Sequence, residues 1–382
     1  MSAKINIASS THSTEELAAI VLDYTTIAIK STKQLFGGYS GSSYLITLNT
    51  NVFPTQYVLK VSNGYSFNDA EFMCRTAAYL GTVRYRECCL PVAKNKNTRT
   101  GDDDFVYVSQ KEKSGIPSFL LTYVEGQQAD KVMRDSPDLA SVVMRGIGGG
   151  LGKMHASSSG IDMGKAQQLR LRWYETDGGC CDVQEQYTNK ILEKIMADSD
   201  AREHEFVSFY QKELADLKRE IQLVKDGKLG IGITHGDPFA DNVMSNPDTG
   251  ELVAFIDMED VCVGPLLFDL ACCAIGCCFK EGEEKDDLTG KFKQVLDFDL
   301  LSALLEGYCG VRKLPILEVE HLVAYMRLTL LCNTSWRFVK FNIMQKEVPE
   351  EAKNSYYELQ ERIKHLHKEA VEAQIMKVLN EC

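Results

Sequence analysis

Two acidic loops carry the strongest chemistry in this sequence. THGDPFADNVM places Asp237 five residues before Asn242, and LVAFIDMED places Asp257 twenty residues after Asp237, at the end of an apolar run. Two carboxylates and an amide on neighbouring loops are hard oxygen donors of the kind magnesium takes. Magnesium that also holds a phosphate chain needs few protein ligands, and Asn242 and Asp257 could supply them. Asp237 is then left to accept the proton of an attacking hydroxyl. That chemistry is phosphoryl transfer from ATP, which asks for positioning and charge neutralisation more than covalent help. A turn of Asp, Asn and Pro without chemistry is the plainer alternative, and the two loops together weigh against it.

The order H-x-D-x-x-x-x-N followed by a later Asp is the spacing of a kinase catalytic loop and its metal loop. His235 orients that loop through hydrogen bonds and is not a metal ligand, because magnesium prefers oxygen. The front half supplies the remaining parts. Gly37, Gly38 and Gly41 in LFGGYSGSSY sit at a strand-turn-strand position where backbone amides can approach phosphates, with Gly38 and Ser40 as candidate contacts. Lys60 lies in the middle of the strand YVLKV, among apolar neighbours, and is the candidate phosphate-holding ammonium. Glu71 on the following helix is expected to pair with Lys60, with Asp69 as a rival. The strand LLTYVEG is expected to form the hinge, with Tyr123 and Val124 meeting the adenine. Glu259 and Asp260 are weaker candidates for a substrate ammonium, as is Arg337 for a substrate carboxylate.

These side chains need a scaffold. Ser13-Thr14-Glu15-Glu16 before LAAIVLDY forms a capping box that opens a helix. Strands are expected at LFGGYSGSSYLITL, at Gln56–Ser62, near 105–110 and at 118–126, with a helix over Asn68–Val83. Together they make a small sheet with one helix over residues 1–124. Ser136-Pro137 opens a helix that runs to about His155. Its glycines Gly146, Gly148, Gly149, Gly150 and Gly152 are expected at close-packing positions, because no strand precedes them as a nucleotide loop requires. Two helical stretches run up to Gly227, a C-cap glycine, and a strand-loop-strand region spans Ile231–Asp257. Beyond it the pattern is helical to the end. The last helix carries Ala352, Tyr356, Leu359, Ile363, Leu366, Ala370 and Ala373 at alternating spacings of four and three. That is a coiled-coil seam, which allows a homodimer, although packing on its own domain is favoured.

Composition bounds the partners. The chain has 382 residues and a formal charge of −12, which disfavours nucleic acid and anionic membrane surfaces. Leu266–Phe279, the most apolar stretch, contains Asp269 and is too short for a bilayer span. MSAKINIASSTHSTEEL has no apolar signal region, so a cytoplasmic location is expected. The 13 cysteines lack zinc spacing and are expected to be reduced, with DLACCAIGCCF a buried helix that uses Cys as a small hydrophobe.

From about Leu35 to Phe341 the sequence resembles the aminoglycoside phosphotransferase and choline kinase superfamily, the protein-kinase-like small-molecule kinases. HGDPFADN looks like its catalytic loop and FIDMED like its metal loop. Within the superfamily, GGYSGSSYLI with YVLKV, FDLACCAIGCCF, GYCGVRKL and the helix carrying Arg327 and Arg337 look like type II homoserine kinase. The resemblance implies an α+β bilobal protein-kinase-like fold. Its N-lobe, residues 1–124, is a five-stranded antiparallel sheet plus a helix, and its mainly helical C-lobe is residues 125–382. It implies Asp237 as base, Asn242 and Asp257 as Mg2+ ligands, Lys60 on the ATP phosphates, and Asp269 as a brace behind the catalytic loop. Gly41 stands where the family often has Asn, and HGD is the general superfamily form, so the acceptor stays open. A homoserine-like amino alcohol leads, with choline, ethanolamine, hydroxylysine, a sugar or an aminoglycoside as alternatives. A catalytically silent scaffold is a further alternative, against which Lys60, Asp237, Asn242 and Asp257 speak together.

Overall fold

The computed structural model describes residues 12–35, 41–98, 105–112, 115–173, 185–285 and 290–381. The chain enters through α1 (Thr14–Val21), whose capping box forms as the sequence predicts. Ser13 Oγ accepts from Glu16 N–H, and the Glu16 carboxylate accepts from Ser13 N–H. Strands β1 (Ile29–Leu35), β2 (Gly41–Leu48), β3 (Gln56–Ser62), β4 (Val108–Ser109) and β5 (Ser118–Thr122) form one antiparallel sheet, in the order β1-β2-β3-β5-β4. Strand β1, IKSTKQL, has only a weak apolar alternation and is not legible as a strand. Only two residues of the FVYVSQ run pair in the sheet.

The period-two alternation of β2 turns Tyr44, Ile46 and Leu48 to one face. There they join Leu59, Val61 and Leu120 under Leu17, Ile20 and Val21 of α1. The opposite face is covered by α2 (Phe67–Thr82), which buries Ala70, Met73, Cys74, Ala77 and Leu80. Phe119 and Leu121 of β5 join them in a core continuous with the helical part of the molecule. The sheet thus lies between two helices. Lys60 alternates with Leu59 and Val61 and so points to the α2 side.

Past β5 come β6 (Gln127–Gln128), α3 (Ala129–Asp135), α4 (Ala140–Ser157), α5 (Met163–Gln168), α6 (Glu185–Ala197), α7 (Glu205–Asp216) and α8 (Lys218–Lys225). Four short strands follow: β7 (Ile231–Thr234), β8 (Val243–Ser245), β9 (Leu252–Phe255) and β10 (Cys262–Pro265). β7 pairs with β10, and β8 lies between β6 and β9. Helix α9 (Leu266–Cys277) is buried almost throughout, with Cys272, Cys273 and Cys277 among its core residues. The end of the chain holds a hairpin, β11 (Phe279–Lys285) with β12 (Phe292–Leu296), and then α10 (Phe298–Cys309), α11 (Ile316–Val339), α12 (Glu350–Lys353), α13 (Ser355–Leu366) and α14 (Glu369–Asn380).

Of the five α4 glycines, Gly146, Gly148, Gly150 and Gly152 are close-packing positions and Gly149 is not. A Cβ on Gly148 would lie 2.0 Å from Leu304 O, and one on Gly307 would lie 2.1 Å from Arg145 O. Backbone therefore meets backbone where α4 crosses α10.

Three expectations change. The region beyond Asp257 is not helical throughout, since β10 and the β11–β12 hairpin interrupt it. The last helix is three pieces. Tyr356, Leu359, Ile363 and Leu366 are buried within this chain, where α13 packs on α11 and β12, whereas Ala370 and Ala373 are exposed. The seam is thus filled by the chain itself. The cysteines are not all reduced: Cys309 is disulfide-bonded, while Cys74, Cys88, Cys89, Cys262, Cys272, Cys273, Cys277, Cys278 and Cys332 are free and buried. Among the described residues, no helix is long and apolar enough to cross a membrane.

Candidate active site

The loop expected to be catalytic leaves β7 at His235, which is fully buried. His235 Nε2 lies 2.9 Å from Ile256 O, so this nitrogen carries the proton, and Nδ1 accepts from Asp237 N–H at 3.3 Å. One imidazole thus ties the catalytic loop to the backbone just before Asp257. Gly236 adopts φ +88°, and a Cβ there would lie 2.4 Å from Asp260 O. Only glycine fits between the two loops at that point.

Asp237 and Asn242 face each other across one turn. Asn242 Nδ2 donates to Asp237 Oδ2 at 2.9 Å and to Asp237 O at 3.0 Å. Ile256 N–H donates to Asn242 O at 2.8 Å, which fixes the far end of the turn to the backbone before Asp257. Burial raises the pKa of Asp237 well above the ordinary carboxylate range, and Asp260, Asp257 and Asp241 push it further. Burial also raises the pKa of Asp260, with Asp257 adding to it and Arg172 opposing.

Asp257 lies two residues past the end of β9 and adopts φ 60°, ψ 53°, a left-handed conformation that costs a non-glycine residue roughly 1 kcal/mol. This turn aims its carboxylate at Lys60, whose Nζ lies 2.5 Å from Asp257 Oδ1 and 2.9 Å from Glu259 Oε1. Burial disfavours the lysine charge, but Asp257 and Glu259 outweigh it and hold the ammonium pKa above its ordinary value.

The expected Lys60–Glu71 pair does not form. Glu71 is 1% exposed and accepts from the N–H groups of Val106, Tyr107 and Val108 at 2.8, 2.9 and 3.1 Å. It also takes Arg75 Nε at 2.9 Å. Its carboxylate is consumed by one stretch of chain that approaches β4. The rival, Asp69, is engaged in the cap of α2, where its carboxylate accepts from Ser66 Oγ at 2.6 Å. Glu259 therefore stands beside Lys60 where Glu71 was expected.

Asp269, fully buried near the start of α9, accepts from His235 N–H at 2.7 Å and Gly236 N–H at 2.9 Å. A third partner, His155 Nε2, lies 3.0 Å away on α4 and was not anticipated. Arg172 was also missed. Its guanidinium donates to Glu259 O and lies 5.3 Å from the centre of the Tyr65 ring. Neither residue has a local signal, because each meets partners more than 80 residues away.

Tyr123 and Val124 fall between β5 and β6; Tyr123 is exposed and Val124 packs on the main core. Arg337 donates to Ser355 O, and Arg327 pairs with Glu213. Gly37, Gly38 and Ser40 lie outside the described residues. Among the described residues, no group of three or more His, Cys, Asp or Glu side chains is placed to hold a metal ion by itself.

The sequence profile of the phosphotransferase enzyme family matches residues 31–299. A homoserine kinase of Methylocella silvestris is 24% identical over 306 residues, which cover 80% of this chain and 79% of that protein. Among solved structures, an amicoumacin kinase in complex with AMP-PNP, Ca2+ and Ami superposes with a TM-score of 0.65 at 14% identity, covering 92% of this chain and 93% of that one. A microcompartment-associated aminopropanol kinase superposes with a TM-score of 0.56 at 15% identity, covering 95% and 99%. These likenesses establish the protein-kinase-like fold.

Proposed function

The chain belongs to the phosphotransferase enzyme family, and we propose that it transfers the γ-phosphoryl group of ATP to the hydroxyl of a small amino alcohol, with a homoserine-like acceptor first. The observation that carries this reading is the meeting of two pairs. Asn242 holds Asp237, Lys60 holds Asp257, and Asp257 lies close enough to raise the Asp237 pKa. The names of the relatives, homoserine kinase and aminopropanol kinase, favour an amino alcohol over a sugar.

Asp237 is the base. Its Oδ2 is engaged by Asn242, which leaves Oδ1 to accept the proton of the acceptor hydroxyl. A hydroxyl held there attacks in line, and the chain contributes orientation and charge. Lys60 is the phosphate-holding cation, kept charged by Asp257 and Glu259. The donors fit a divalent cation of the magnesium type. Asp257 and Asn242 offer hard oxygens, and the crowding that raises the Asp237 pKa is relieved by a positive charge between the loops. Two hard-oxygen donors would leave the remaining ligand positions of such an ion to phosphate oxygens. Held there by Asp257 and Asn242, it would supply neutralisation of the charge that develops on phosphoryl transfer. The residues before and after the 124/125 boundary then act as two lobes, closing over the nucleotide at Tyr123 and Val124.

The test is ADP release with Mg-ATP against homoserine, aminopropanol, hydroxylysine, choline, ethanolamine, methylthioribose and kanamycin, with Asp237→Asn as control. Turnover with an amino alcohol that is lost in the variant is the expected result. Turnover with kanamycin or methylthioribose alone would overturn the acceptor class. Absence of both turnover and Mg-ATP binding would overturn the phosphotransfer reading.

A further inference from the structure

Strand β7 delivers the catalytic loop, and three buried side chains take its main-chain N–H groups. Glu318 Oε1 accepts from Gly230 at 3.2 Å, Ser158 Oγ from Ile233 at 2.9 Å, and Asp269 from His235 and Gly236 at 2.7 and 2.9 Å. None of the three is more than 1% exposed.

The two carboxylates at the ends of this strand are joined behind it. Arg312 grips Glu318 with both terminal nitrogens, at 2.7 and 2.8 Å, and donates from Nη1 to Tyr308 Oη at 3.1 Å. Tyr308 Oη lies 2.7 Å from His155 Nδ1, and His155 Nε2 lies 3.0 Å from Asp269 Oδ2. Tyr308, His155 and Asp269 are all fully buried, so water cannot replace the links among these three.

Donor chemistry gives this chain one direction. A guanidinium only donates, so Tyr308 Oη accepts from Arg312, and its single proton goes to His155 Nδ1. Burial raises the phenol pKa, which keeps that proton in place. The imidazole proton then sits on Nε2 and points at Asp269. In the other tautomer a nitrogen lone pair would face a carboxylate oxygen, and Asp269 would be pushed off the loop amides.

We propose that Tyr308 is a positioning residue for the catalytic loop: held by the Arg312–Glu318 pair, it fixes His155 in the Nε2–H form that keeps Asp269 locked on the amides of His235 and Gly236. The kinetic consequence rests on the phosphotransfer reading, whereas the consequence for loop order does not.

The experiment is hydrogen exchange and steady-state kinetics on the full chain, comparing wild type with Tyr308→Phe and Arg312→Lys. Phe keeps the ring packing and removes only the hydroxyl. Lys keeps a positive charge beside Glu318 and removes the fork. In Tyr308→Phe, exchange in peptides spanning 231–242 rises about tenfold, and kcat falls by a similar factor with both KM values within twofold, the kinetic size of one lost buried hydrogen bond. Peptides from β3 exchange as in wild type. Arg312→Lys changes the same peptides by a smaller factor, and it carries the test alone if Tyr308→Phe does not fold. Wild-type exchange at 231–242 in the folded variants overturns the proposal. So does an equal rise in β3, which marks general loosening, or a raised loop exchange with unchanged kcat. If wild type turns over no acceptor, the phosphotransfer reading fails separately and the exchange result alone decides.

Discussion

Asp237→Asn should make the protein more stable while it makes it less active. The amide keeps the shape of the side chain and removes one charge from a crowded set. Two like charges at contact distance repel by about 1 kcal/mol under water-like screening and about 4 kcal/mol under near-surface screening. Against this, the bond from Asn242 Nδ2 changes from charge-assisted to neutral, a loss of about 1 kcal/mol. The net is a stabilisation of roughly 0–3 kcal/mol, or a rise of a few degrees in Tm for a chain of this size. The sign depends on pH. The native carboxyl has a raised pKa, so the native state holds a proton that the unfolded chain has already released. That contribution is present at low pH and is lost as pH rises through the native value. The Tm advantage of the variant should therefore widen from pH 5 to pH 8. Turnover moves the other way: loss of the base lowers kcat roughly 10²–10⁴-fold. Wild-type kcat/KM should fall on acidification at a pH above the usual carboxylate range. Scanning calorimetry across pH, paired with ADP-release kinetics, reads both effects. A variant that melts below wild type at pH 8 and keeps turnover within threefold would refute the assignment of Asp237 as a strained base.

Other perturbations separate the parts. Asp257→Ala removes a proposed metal ligand and should weaken Mg-ATP binding at least about a hundredfold in titration calorimetry, with the fold retained by circular dichroism. Glu71→Gln breaks a charged acceptor of three main-chain amides and should cost about 2 kcal/mol in urea unfolding, with the KM for ATP unchanged. A helix-borne partner of Lys60 would instead raise that KM. Gly148→Ala forces α4 from α10 and should cost about 3 kcal/mol. Gly149→Ala, whose Cβ would lie 3.7 Å from Gly307 O, should gain up to about 1 kcal/mol from helix propensity.

The two loops were legible because each is short and carries its own chemistry. The turn from Asp237 to Asn242 and the Asp257 that follows β9 sit where spacing put them. The glycines of α4 were read as packing residues, and the buried atoms of Leu304 and Arg145 explain why. What spacing hides is partner choice over long range. Glu71 lies on the helix after Lys60, yet three amides near β4 compete for it and win. His155, Tyr308, Arg312 and Glu318 are scattered over more than 160 residues and converge only when α4 crosses α10. The β11–β12 hairpin was missed because FKEGEEK is charged on both faces. Strand β1 was missed for a similar reason, since after Ile29 its inward positions are Thr32 and Gln34.

The grip of Glu71 on Val106, Tyr107 and Val108 bears on how such an enzyme could be switched off. Protein kinases are commonly silenced by moving the helix after the lysine strand, which parts the lysine from its glutamate. Here that helix is stitched to a neighbouring segment by three hydrogen bonds from backbone N–H groups to Glu71, and Lys60 draws its carboxylates from Asp257 and Glu259 instead. Swinging α2 outward would break the stitches without freeing the lysine. The proposed apparatus would thus hold its lysine through Asp257 and Glu259 rather than through α2. Its output would then track the supply of nucleotide and acceptor.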